Sequence, residues 1–120
     1  IGRPEKTQHW VREILSRCYS TDRKGFDGNE DCGQMSAWYI LSSLGLYMLN
    51  PADGWYELGA SCVEEAKLKL HSGKTLRIVA KNLSDTTTTV QKVTFNGQQI
   101  DDWRITHAEL MQGGNLVFEY

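Results

Sequence analysis

Between Pro4 and Tyr19 the apolar residues Trp10, Val11, Ile14, Leu15, Cys18 and Tyr19 recur three and four positions apart, the spacing that gathers side chains on one helix face. Pro4 suits the first turn, where its missing N–H costs no hydrogen bond. The pattern predicts a helix with one buried face. From Ser20 to Gly33 the chain turns polar, with Thr21, Asp22, Arg23, Lys24, Gly25, Asp27 and Gly28, and reads as a loop. A loop of that length inside a compact chain is usually functional or disordered. Met35, Trp38, Tyr39, Leu41 and Leu44 then predict a second helix. Its small residues Ser36, Ala37, Ser42 and Ser43 permit close packing on several sides, and Gly45 stops it.

Past Pro51 and the Asp53-Gly54 turn the period becomes alternating, which places one internal boundary between residues 1–50 and 51–120. Strands are predicted from Trp55 to Leu58, Ala66 to Leu70, Thr75 to Ala80 and Thr87 to Phe95, with a last one through Leu116, Phe118 and Tyr120. Asn96-Gly97 is a strong hairpin signal. Thr106 and Glu109 form a capping box over a short helix closed by Gly113. The fold class is α+β: an N-terminal pair of helices followed by a small antiparallel β-rich lobe.

With 120 residues, 40% apolar composition and a net charge of −2, the chain can build one modest core rather than two independent domains. No apolar run is long enough to span a bilayer, and basic residues do not cluster, so neither a membrane nor nucleic acid is the expected partner. Cys18, Cys32 and Cys62 are odd in number and lack Cys-x-x-Cys spacing, which argues against a zinc site and leaves at least one thiol free. His9, His71 and His107 are scattered and read as surface or capping residues. No metal site is predicted within the chain.

Candidate chemistry concentrates in Gly28-Asn29-Glu30-Asp31-Cys32-Gly33, where two carboxylates and an amide stand on a Gly-flanked loop leading into the second helix. Such glycines let polar side chains be aimed at one point while the helix fixes the loop's base. Asp31 with Gln34 also fits a helix capping box, and on spacing alone a cap is the commoner use of these residues.

The segment continues Gln34-Met35-Ser36-Ala37-Trp38-Tyr39 and Ser42-Ser43-Leu44-Gly45-Leu46-Tyr47, and in this wording it resembles glycoside hydrolase family 92. The likeness runs on through Gly73-Lys74-Thr75-Leu76, Val79-Ala80-Lys81-Asn82, Phe95-Asn96-Gly97, Ile105-Thr106-His107 and Gly113-Gly114, nearly the whole chain in order. Asp27, where the family usually has proline, and Ala60-Ser61-Cys62, where it tends to read Gly-Ser-Pro, depart from the pattern.

The family comprises calcium-dependent exo-acting α-mannosidases, mostly bacterial and described as inverting. The resemblance implies that residues 1–50 are the last helices of a catalytic α/α toroid and that 51–120 pack behind it. It implies Asp31 as general base, Asn29 in place of a supporting carboxylate, and Glu30 as a neighbouring active-site residue. The general acid, most calcium ligands and any signal peptide would lie upstream, in a periplasmic or extracellular enzyme acting on the terminal, α-1,2-linked mannose of glycans. By itself the segment would be inactive and prone to self-association. Trp38 and Trp55 are candidates for stacking on sugar faces, although such aromatics, like Trp10 and Trp103, are more often core. The competing reading is a non-catalytic carbohydrate-binding or structural β module. An open edge carrying residues 29–31 favours the enzyme, and an exposed aromatic stripe on the sheet favours the module.

Overall fold

The computed structural model describes residues 2–120. Helix α1 spans Pro4–Arg17, with Pro4 in its first turn, Glu5 near its positive end and Arg17 near its negative end. Its apolar stripe is less covered than the periodicity predicts, because Trp10 and Ile14 stand exposed and Gln8 is the buried residue of the helix. Helix α2, Gln34–Ser43, ends where Gly45 takes a left-handed φ of +79° and returns its N–H to the Ser42 carbonyl at 3.0 Å. The small residues at this end let the connector approach closely. Cys62 N–H reaches Ser43 O at 2.8 Å, and Gly59 N–H reaches Gly45 O at 2.9 Å.

Two sheets follow. The first is three-stranded in the order β1-β2-β7, from Leu46–Tyr47, Trp55–Leu58 and Arg104–Thr106. The second has the order β3-β4-β8-β5-β6, from Glu65–Lys69, Thr75–Lys81, Gly114–Glu119, Lys92–Phe95 and Gln98–Gln99. All pairings are antiparallel except β4 with β8, where Ile78 sits opposite Leu116 and Ala80 opposite Phe118. That parallel pair lies in the middle of the sheet, and its burial alternates: Leu76, Ile78 and Ala80 of β4 with Leu116 and Phe118 of β8 face the core, while Thr75, Arg77 and Lys81 are exposed. Ile78, Leu116 and Phe118 are fully buried and pack with Val93, Ile105 and Leu110, the last from helix α3, His107–Leu110. Each such side chain contributes about 1.5–3 kcal/mol by leaving water.

The capping box over α3 forms as the sequence implies: Thr106 Oγ1 accepts the Glu109 N–H at 3.1 Å, and Glu109 Oε2 accepts the Thr106 N–H at 2.9 Å. The strand expected from Thr87 to Phe95 begins only at Lys92. Upstream of it the Val90 N–H is taken by a side chain, Gln8 Oε1 at 3.0 Å, instead of a neighbouring strand. Strands β1, β6 and β7 are two or three residues long, too short to show a period of two.

Candidate active site

The polar loop after α1 is built as a closed hairpin. Tyr19 and Phe26 form an isolated antiparallel bridge, and the Ser20 N–H reaches Gly25 O at 2.9 Å. At the tip, Asp22 Oδ1 accepts the N–H groups of Lys24 at 2.9 Å and Gly25 at 3.2 Å. The Gly25 N–H, the Ser20 hydroxyl and the Lys24 N–H hold the Asp22 carboxyl below the usual carboxylate range. Tyr19 then organises an aromatic cluster. It stacks on Trp38 at 5.7 Å between centroids, tilts against Tyr39 at 4.8 Å and meets the edge of Phe26 at 5.8 Å.

The chain returns to α2 through a short 3-10 turn, Asp31–Gly33, in which Cys32 and Gly33 both take left-handed backbone angles, φ 56° and 78°. This reversal sets Glu30 beneath the start of the helix. Its two carboxylate oxygens each lie 3.1 Å from the Ser36 N–H, which belongs to the first turn and has no partner within the helix. Tyr19 Oη donates to the Met35 carbonyl at 3.2 Å. Met35 C=O and Ser36 N–H are the two ends of one peptide unit, so Tyr19 and Glu30 grip the same peptide from opposite sides. Burial, and then the negative charge of Glu30, push the Tyr19 phenol up.

The capping box expected between Asp31 and Gln34 does not form. Gly33 is the N-cap of α2, no side chain caps it there, and Gln34 instead donates to the Asn29 carbonyl at 3.4 Å. Glu30 does the capping, because the left-handed turn carries Asp31 past the helix end. Asn29 and Asp31 are exposed while Glu30 is half-buried. Among the described residues no hydrogen bond or ion pair engages the Asp31 carboxylate. The three residues are thus neighbours on one rim with different commitments: Asp31 is open to solvent, and Glu30 is turned inward. Neither Tyr19 nor Ser36 is marked by the sequence as a loop anchor. Tyr19 reads only as one more apolar position on a helix.

A cleft of about 410 Å³ opens beside this loop, lined by Tyr19, Phe26, Ser36, Tyr39 and Ile40. A larger one, about 540 Å³, lies in the β lobe, and like the first it is lined by none of residues 29–31. Its carboxylates are already used: Asp101 by Gln99 Nε2 at 2.6 Å, Asp102 by the Arg104 N–H at 3.3 Å, and Glu109 by Thr106. The two tryptophans considered for sugar stacking each have a partner on the ring, Tyr19 for Trp38 and the Arg104 guanidinium, 5.0 Å from the centroid, for Trp55. Trp103 is half-buried against the core, and Trp10 is exposed. His9 and His71 are exposed, and His107 Nδ1 lies 3.1 Å from the Tyr56 hydroxyl. The three cysteines are free thiols. Among the described residues no group of three or more His, Cys, Asp or Glu side chains converges to hold a metal ion.

Residues 1–120 match the family model described as the glycosyl hydrolase family 92 catalytic domain. The solved structure of a family GH92 α-mannosidase from Bacteroides thetaiotaomicron superimposes with a TM-score of 0.90 at 34% identity, over 97% of this chain and 16% of that one. The structure of that protein in complex with mannoimidazole gives 0.91 at 34% identity, over 97% and 15% of the two chains. A family GH92 inverting mannosidase from Bacteroides thetaiotaomicron VPI-5482 gives 0.90 at 35% identity, over 99% and 16%. The chain therefore spans only 15–16% of the length of these proteins. No curated protein sequence matches it.

Proposed function

The chain belongs to glycosyl hydrolase family 92, and on that premise we propose that it is the C-terminal part of a bacterial, exported α-mannosidase that removes terminal α-1,2-linked mannose from glycans with inversion. Asp31 is the general base. Its carboxylate takes a proton from the water that attacks the anomeric carbon, while a carboxylic acid on a segment outside these residues protonates the leaving oxygen. In inverting enzymes two such groups stand about 6.5–9.5 Å apart, leaving room for the water. Asn29 orients that water through its amide and has no basicity to share. The calcium ion of the intact enzyme takes most of its ligands from outside these residues.

The observation that supports this reading is the state of Asp31: exposed and unengaged, directly after Glu30, whose side chain is tied to the helix behind it. A base must be free to accept a proton and held where the proton is. The carbohydrate-binding alternative has less support. Of the exposed large apolar residues, Trp10, Ile14, Tyr39 and Ile40 lie on the helices and Leu49 in the connection between β1 and β2, none of them on a sheet face. Those on α1 and α2 fit a surface that packs against the remainder of a longer polypeptide.

Two measurements test the proposal. Proton NMR of freshly released sugar from the longer enzyme should show β-mannose first, and α-mannose first would overturn inversion. The 120-residue chain alone should not hydrolyse an aryl α-mannoside, because the acid and the metal shell are elsewhere. Turnover by it that is lost in Asp31→Asn would overturn the division of labour.

A further inference from the structure

The two carboxylates of the loop are not equivalent, although nothing in their order along the chain separates them. Asp31 projects to solvent, whereas both Glu30 oxygens straddle the Ser36 N–H at 3.1 Å. The positive end of a helix attracts a carboxylate, and Ser36 supplies one of the donors that the first turn leaves unpaired. Gly33 serves this contact through its left-handed backbone angle, φ 78°, and not through space, since a Cβ built there would meet only Glu30 Oε1 at an ordinary 3.8 Å. The opposite end of the same peptide is held by Tyr19 Oη. The loop from Tyr19 to Glu30 therefore closes on a single peptide plane, and Asp31 is the first residue beyond the clamp.

We infer that Glu30 is a positioning residue, which through Ser36 N–H fixes the aim of Asp31 and itself transfers no proton. The inference rests on the assignment of Asp31 as base. A base displaced by about 1 Å can lose on the order of 10²-fold in rate, so the clamp matters to catalysis without touching substrate. What Glu30 needs for this work is an acceptor oxygen, not basicity, and glutamine supplies one.

The experiment uses the longer enzyme that carries this segment and compares Glu30→Gln, Glu30→Ala and Asp31→Asn by kcat, KM and amide exchange at Ser36. Glu30→Gln should keep kcat within about threefold, since amide and carboxylate cap helices almost equally well. Glu30→Ala should lower kcat on the order of 10²-fold with KM little changed and with faster exchange at Ser36. Loss of turnover in Glu30→Gln as deep as in Asp31→Asn would overturn the inference by showing that the Glu30 carboxylate does proton work. Unchanged kcat in Glu30→Ala would overturn it by making the clamp dispensable. Full turnover in Asp31→Asn would overturn the base assignment and this inference with it, an outcome distinct from the other two.

Discussion

Gln8 in α1 and Val90 ahead of β5 are joined by a buried hydrogen bond, Oε1 to backbone N–H at 3.0 Å, across 82 residues of sequence. Gln8 is 2% exposed, and its Nε2 finds no partner among the described residues. A polar side chain so deeply buried is expensive unless its hydrogen bonds are made. Here one is made, and it fastens the helical part to the β lobe at a point where Val90 has no strand neighbour to donate to. Gln8→Ala should orphan that N–H and cost about 1–3 kcal/mol. Thermal unfolding should shift down by several degrees, and Val90 amide exchange should accelerate more than that of its neighbours in β5.

Asp31→Asn in the longer enzyme should lower kcat by roughly 10²–10⁴ while KM changes little, because asparagine keeps the shape and loses the basicity. Asp31 makes no cap, so the thermal midpoint should stay where it is. A lowered midpoint with normal turnover per folded molecule would return Asp31 to a structural role.

Gly45 is needed for space as well as for its backbone angle. A Cβ there would sit 2.8 Å from Phe118 Cζ and 2.9 Å from the Ser61 N, at a φ of +79°. Gly45→Ala should cost about 2–5 kcal/mol, a left-handed penalty of about 1–2 plus overpacking against the core. Gly54→Ala is the control, with φ +72° and nothing within 4 Å. It should lose only the left-handed part, about 1–2 kcal/mol, and parallel denaturation curves will separate the two.

Alkaline stability should follow Tyr120. Its hydroxyl donates to the Ser61 carbonyl, and burial, opposed by the positive charge of Arg12 and aided by Cys62, pushes the phenol up to about 12. The folded value lies above the ordinary value of 10, so the unfolded chain releases this proton first as pH rises. The stabilisation is complete below pH 10 and is lost between 10 and about 12. Tyr120→Phe should flatten that limb of the stability curve, as followed by denaturant midpoints across the range.

Trp10 at 61%, Tyr39 at 42% and Ile40 at 57% exposure leave apolar surface on both helices of the isolated chain. Surfaces of this kind associate. Sedimentation should show concentration-dependent self-association, reduced by Trp10→Ser with Ile40→Ser. A monomer at all concentrations would count against these faces as packing surfaces.

The sequence alone determined whatever depends on local pattern. Period, with Pro4 at the start of α1 and Gly45 past the end of α2, located the two helices to within a residue or two, Thr106 and Glu109 announced α3, and Asn96-Gly97 announced the turn between β5 and β6, where φ is 50° and 85°. The wording around Asn29, Glu30 and Asp31 carried the family. Tertiary structure decided what depends on partners far along the chain. Only the fold places β8 parallel to β4 in the middle of the sheet, since period two records which face a side chain takes and not which strand lies beside it. Only the fold gives Val90 its N–H partner in Gln8, ending a strand that β-branched residues would have extended. The division between Glu30 and Asp31 belongs to the same class. Two adjacent acids are alike in sequence, and a left-handed turn at Cys32 and Gly33 sends one carboxylate to the helix and leaves the other to solvent.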